Sequence, residues 1–234
     1  MIFNKFFILF KIGRKIGKSN IINIVSETHK IPVFIKIFFN LLAFSFSSSK
    51  DTKSKENLSA SIQEMGTTFI KLGQFLATRP DIIGEKLSKE LVSLQDKLPP
   101  FSKKEAEKII IENLGQSNFD DIIDLSDPIA AASIAQVHKA KIKEDNTIKN
   151  VAIKVLRPNI KKIFNEEIDA IMLLAYIVES LITKTKRLKL IEVVFLFKEI
   201  TNHEMDLRFE AAAANEYAEN TKNDLGFFVP KIYW

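Results

Sequence analysis

At 234 residues, with 46% hydrophobic and 27% charged side chains, the chain is long enough to bury a sizeable core, and its length fits one domain or one and a half. Cysteine is absent, which excludes a disulfide framework, a thiolate metal site and a thiol nucleophile; the three histidines, His29, His138 and His203, are too scattered for a metal centre. The net charge of +5 is local, because residues 1–36 hold seven basic side chains against Glu27 and the remainder is near neutral.

Residues 1–44 form an arm in which Phe6, Phe7, Ile8, Leu9 and Phe10, and later Val33, Phe34, Ile35, Ile37, Phe38 and Phe39, alternate with lysine and arginine. Such amphipathic, cationic segments suit an anionic membrane surface; a helix packed on the core with a solvated basic face is the competing reading, and the pattern alone leaves both open. No small-residue cleavage site follows Phe10, so no signal peptide is expected, and the run from Ile31 to Phe46 is interrupted by Lys36 and Asn40, so no spanning helix is expected. Nothing resembles a nucleic-acid recognition module.

Residues 45–57 are polar and Ser/Lys-rich, a linker. From about 58 to 78 the apolar positions Leu58, Ile62, Met65, Phe69, Leu72 and Leu76 step by four and three, predicting one helix with one buried face. Thr67, Lys71, Gln74 and Thr78 make a polar stripe beside it. Gly73, costly in a helix interior, reads as a place where a backbone or ligand comes close. A short helix over 85–94 ends before Leu98-Pro99-Pro100, and Ser102-Lys103-Lys104-Glu105 is a capping box that opens a helix over about 103–114, closed near Gly115. Strand patterning begins past Phe119, with Ile134–Ile142 and Val151–Leu156 as strands and residues 144–150 as the turn between them. Helices over about 160–183 and 188–220 and a last strand over Phe227–Tyr233 complete the pattern.

On the 188–220 helix, Val193, Phe197, Ile200, Leu207, Ala211, Ala214 and Ala218 keep helical spacing, and Glu204 falls in that apolar stripe. A carboxylate there is costly without a cation, so a basic partner is expected. Val151-Ala152-Ile153-Lys154 places a lysine on a rigid strand, the arrangement by which protein kinases hold a cation at nucleotide phosphates. Upstream, where such enzymes have glycines, stands Asp127-Pro128-Ile129-Ala130-Ala131-Ala132-Ser133-Ile134-Ala135, whose methyls would narrow the approach to phosphate oxygens.

Lys71-Leu72-Gly73-Gln74, the 91–100 segment and the alanine-rich stretch resemble the UbiB-type atypical kinases, which support ubiquinone biosynthesis. The resemblance runs from about residue 58 to Trp234. It implies an α+β fold: a helical extension (58–117) over a partial kinase-like N-lobe (118–234), a small antiparallel sheet with long helices. It also implies that Ala130, Ala131, Ala132, Ser133, Lys154 and Glu210 bind nucleotide. Lys71, Gln74, Glu204 and Asp206 would form the regulatory extension, with Lys71 paired to Glu204 and Lys154 to Glu210.

ATP or ADP, held weakly, is the implied cofactor. A His-x-Asp catalytic loop and a later Asp-Phe-Gly are not found in these 234 residues, so the C-lobe is expected to be absent and magnesium to be held only if one is supplied. Asp224-Leu225-Gly226 is a decoy for the last motif. The expected partners are a membrane surface or isoprenoid lipid, ubiquinone-biosynthesis proteins and a separately encoded C-lobe, at the cytoplasmic side of the inner membrane; the competing expectation is a non-enzymatic nucleotide-binding or membrane-associated module.

Overall fold

The computed structural model describes residues 2–19, 21–28, 37, 58–94, 98–144 and 147–234. The linker over 45–57 and most of the 33–39 apolar segment lie outside the described residues.

The N-terminal arm opens with α1 (Ile2–Lys18) and α2 (Ile21–Thr28). Ile12 is buried in the main core, and Ile8, Leu9 and Ile16, one turn either side, pack against it, so one stripe of α1 is a core face. The other side of α1 exposes Phe6, Phe7 and Phe10 together with Lys11 and Lys18. The core stripe is the packed helix of the competing reading, and the solvent side carries the aromatic and basic residues on which the membrane expectation rested. Among the described residues no helix is long and apolar enough to cross a membrane.

The single helix expected over 58–78 is two, α3 (Leu58–Met65) and α4 (Thr67–Ala77). The break is Gly66, at φ 104° and ψ −178°, a conformation that side chains other than glycine's rarely adopt. The Lys15 ammonium donates to the carbonyl of Met65 at this break (2.7 Å), pinning α1 to it. Gly73 does admit a close neighbour, but an apolar side chain: a Cβ there would lie 3.1 Å from Leu94 Cδ2 and 3.4 Å from Ile62 Cγ2. After α5 (Pro80–Ile83), α6 (Glu85–Val92) turns back; its Ser88 hydroxyl donates to the Ala77 carbonyl at the end of α4, and the Ser59 hydroxyl of α3 donates to its Glu90 carbonyl.

The capping box forms: Ser102 Oγ accepts from the Glu105 N–H (3.2 Å) and donates to Glu105 Oε2 (3.1 Å), so the return bond runs to the hydroxyl and not to the Ser102 N–H. It opens α7 (Lys103–Leu114), capped at Gly115 and followed by α8 (Gln116–Asp120). A four-stranded antiparallel sheet follows, centred on β3 (Ala135–Glu144). One edge of β3 pairs along its full length with β4 (Thr147–Leu156), from Ala135↔Leu156 to Glu144↔Thr147; the other is shared by β1 (Ile122–Ile123) and β2 (Pro128–Ala131). The hairpin thus reaches further than expected, and β4 begins four residues before Val151. Ala106 and Ile110 of α7 pack on this sheet against Leu125, Ala140 and Val155.

On the opposite side, α9 (Ile160–Leu181) buries Phe164, Ile168 and Ile171 in a core shared with α1, α4 and α10 (Leu190–Glu204). The Phe164 and Phe197 rings meet edge to face with centroids 5.7 Å apart. A 3₁₀ turn (Thr183–Leu188) joins α9 to α10. The expected helix over 188–220 is also two, since α11 runs Leu207–Asn220. Asp206 makes the break by accepting from the Arg208 N–H (3.1 Å) as an N-cap, while Met205, 1% exposed, anchors the corner in the core. Phe227–Tyr233 forms no strand. A strand needs a partner edge, and this segment is tied down by side chains instead: Lys231 pairs with Glu144 at the end of β3, and the Tyr233 hydroxyl donates to the same carboxylate (3.3 Å). Phe228 and Trp234 are exposed; Ile232 is half-buried.

Candidate functional site

The corner between α10 and α11 decides where the acids point. On one straight helix, Glu204 and Glu210 would sit about 120° apart around the axis. With the chain broken at Met205–Asp206, Glu204 ends α10, Glu210 lies in the first turn of α11, and both line one open cleft.

The cleft has a volume of about 680 Å³, within the range of roughly 300–1,000 Å³ usual for small-molecule sites. Ala130, Ala131 and Ala132 form one wall with Ile134, Ala135 and Val137; Lys71, His203 and Glu204 face it, and Lys154 and Glu210 complete the lining. Strand β4 carries Lys154, whose ammonium meets both carboxylate oxygens of Glu210, at 2.9 and 2.6 Å. Helix α4 carries Lys71, with Nζ 3.0 Å from Glu204 Oε2. The expected pairs are therefore both formed, but they differ in setting. The Lys71 side chain is 14% exposed and that of Glu204 43%, whereas Lys154 and Glu210 are both open to water. Glu204 is thus not in a buried apolar stripe; Val193, Val194, Phe197 and Thr201 make the buried face of α10, and Ile200 is exposed.

Three of the candidate residues lie off the cleft. Ser133 is fully buried behind the wall, Gln74 is half-buried on α4 outside the lining, and Asp206 is engaged as the cap of α11. The Arg208 guanidinium, hydrogen-bonded to Asp206 (Nε to Oδ1, 2.8 Å), holds that carboxyl well below the usual carboxylate range.

Contacts that no motif announced hold the wall in place. The Arg157 guanidinium donates to the Ala132 carbonyl through Nε (3.0 Å) and Nη2 (2.8 Å) and to the Pro99 carbonyl through Nη1 (3.0 Å), and the Arg157 backbone N–H donates to Ile134 O (2.9 Å). The Thr67 hydroxyl donates to Ser133 O (3.2 Å). Behind the sheet, Gln136 takes the Phe101 N–H (2.9 Å) and donates to Phe101 O (3.2 Å) and to His138 Nε2 (2.9 Å), while His138 Nδ1 bonds the Ser126 carbonyl. Fully buried His138 is thus a satisfied core histidine. Among the described residues, no group of three His, Asp or Glu side chains converges as a metal site would require.

Residues 93–234 match the ABC1 atypical kinase-like domain. The chain is also similar to proteins named "Probable protein kinase UbiB". It is 34% identical to the one from Marinobacter nauticus over 206 residues, 88% of this chain and 37% of that one. It is 37% identical to the Azotobacter vinelandii protein (76% and 33% of the two chains) and 31% to that of Pseudomonas putida (97% and 42%). The chain therefore spans between a third and about two-fifths of the length of these curated relatives.

Proposed function

The chain belongs to the ABC1 atypical kinase-like family, with UbiB proteins among its relatives, and from that premise we propose that its cleft receives the phosphates of an adenine nucleotide in support of ubiquinone biosynthesis. One observation carries this reading: Lys154 with Glu210, Lys71 with Glu204, and the wall Ala130–Ala132 all face the same cleft. A strand-borne ammonium fixed by a carboxylate is a cation held in register for phosphate, and the two glutamates compensate the two lysines when no ligand is present.

The donor set of this cleft does not fit a magnesium site by itself, since both of its glutamates are engaged by lysines and, among the described residues, no further acid lines it. The 234-residue polypeptide is accordingly expected to bind ADP or ATP weakly and not to turn ATP over, because the charge developing on the γ-phosphoryl group would go unneutralised. Titration calorimetry with ADP, alongside ATPase assays of chromatographed protein, tests both halves. Magnesium-dependent turnover that co-elutes with the chain and vanishes in Lys154→Met overturns the non-catalytic half; absence of ADP binding at millimolar concentration favours a non-enzymatic module.

A second reading is supported by α1, whose solvent side offers Phe6, Phe7 and Phe10 beside Lys11 and Lys18. Aromatic side chains next to lysines suit an anionic lipid surface, which would place the protein peripherally, at the cytoplasmic side of the inner membrane.

A further inference from the structure

Alanine methyls shape a wall, but hydrogen bonds to its carbonyls hold it. Three successive carbonyls here are taken by groups that do not line the cleft: Ala132 O by the Arg157 guanidinium, Ser133 O by the Thr67 hydroxyl, and Ile134 O by the Arg157 backbone N–H. A peptide carbonyl carries a negative end that repels an anion, so a wall meant for phosphate must keep these oxygens turned away. The same guanidinium reaches the Pro99 carbonyl and lies 5.9 Å from the Phe101 ring centroid, while Gln136 clasps the Phe101 backbone from both sides. The wall and the segment entering α7 are therefore fastened to one side chain.

We infer that Arg157, with Thr67 as a second anchor, is a positioning residue that keeps the carbonyls of Ala132 and Ser133 out of the cleft and couples the wall to residues 98–101. This rests on the nucleotide reading above. It touches no ligand itself; it sets how the backbone meets the anion. Lysine is a poor substitute, because a single ammonium lacks the planar fork that serves Ala132 O and Pro99 O together.

The test compares the full chain with Arg157→Gln, Arg157→Lys and Thr67→Val by ADP titration and by hydrogen exchange, without nucleotide, over residues 98–103 and 130–136. Arg157→Gln is expected to weaken ADP binding about tenfold, the scale of one lost charge-assisted bond, and to speed exchange in both segments. Arg157→Lys falls between, and Thr67→Val weakens binding about threefold while leaving 98–103 unchanged. Faster exchange with ADP affinity within twofold of the parent overturns the positioning role, as does unchanged exchange in both segments. Should Arg157→Gln fail to fold, the other two variants decide. A parent chain that does not bind ADP refutes the nucleotide reading, whereas unchanged exchange in the variants of a parent that binds ADP refutes the positioning role alone. The two failures are told apart because the exchange comparison needs no nucleotide.

Discussion

Replacing Glu204 by Gln should cost more stability than replacing Lys71 by Met, although the two changes break the same ion pair. At 3.0 Å the bare attraction is about 1.4 kcal/mol in water and about 5.5 kcal/mol at an effective dielectric of 20. Glu204 keeps 43% of its side chain in solvent, which pulls the value toward the lower limit, while Lys71 at 14% pulls it up. A coupling of about 1.5–2 kcal/mol follows, below the roughly 3–5 kcal/mol for breaking a fully buried pair. The asymmetry arises because Glu204→Gln removes a carboxylate that lies 3.0 Å from a mostly covered ammonium, about 2 kcal/mol, whereas Lys71→Met leaves a carboxylate that water reaches, about 1 kcal/mol. In the Lys71→Met background, Glu204→Gln should then be nearly neutral. Urea unfolding of the four proteins measures the cycle, and each kcal/mol should appear as about 2–4 °C in melting. Coupling below about 0.3 kcal/mol, or a larger cost for Lys71→Met, would refute the reasoning.

Gly66→Ala should destabilise by about 1–3 kcal/mol through backbone strain alone, since nothing lies within 4 Å of the new Cβ; Gly73→Ala should stay within about 1 kcal/mol of the parent, a gain in helix propensity offsetting the push on Leu94, and thermal melting separates the two. Changing Phe6, Phe7 and Phe10 to Ser should abolish co-sedimentation with anionic vesicles, binding of the parent should fall as salt rises, and equal pelleting of both proteins would remove the membrane reading. The Asp206 carboxyl is depressed by the Arg208 guanidinium, so its stabilisation is present above the ordinary aspartate value and fades as pH falls. Asp206→Asn, which keeps a capping oxygen, should therefore melt below the parent at pH 7, with the gap closing below about pH 4; a gap unchanged at pH 3 would contradict it.

Elements whose signals are local were legible in the residues. Ser102 and Gly115 bracket α7 because a cap and a C-terminal glycine act within one turn of the residues that carry them. The misread helices failed at single backbone positions. Met65 and Phe69 continue an apolar period straight across Gly66, and Leu207 resumes one across Asp206, so periodicity runs through both breaks while the backbone does not. Glu204 keeps the helical spacing of Val193 and Phe197, but as the last residue of α10 it stands where the buried face has ended and the cleft opens. The strand expected over 227–233 failed for another reason: its residues suit a strand, but pairing depends on an edge that composition cannot report. At the site, charges that meet charges were visible through the family resemblance, as Lys71–Glu204 and Lys154–Glu210 show. Arg157 and Thr67 were not, because bonds to backbone carbonyls impose no residue type on the partner.

The docking of α1 has a consequence in time. Its apolar stripe is buried against α9, whose residues lie some 150 positions later in the chain. At about 5–20 residues per second of synthesis, Ile8, Ile12 and Ile16 wait roughly 8–30 s for that partner to be made. During that interval the nascent chain presents a cationic helix that is apolar on its core side and aromatic on the other. A lipid surface or a chaperone that meets it early competes with α9 for the core side. Slowing translation between α6 and α9 should therefore raise the fraction of protein caught with its amino-terminal helix bound elsewhere.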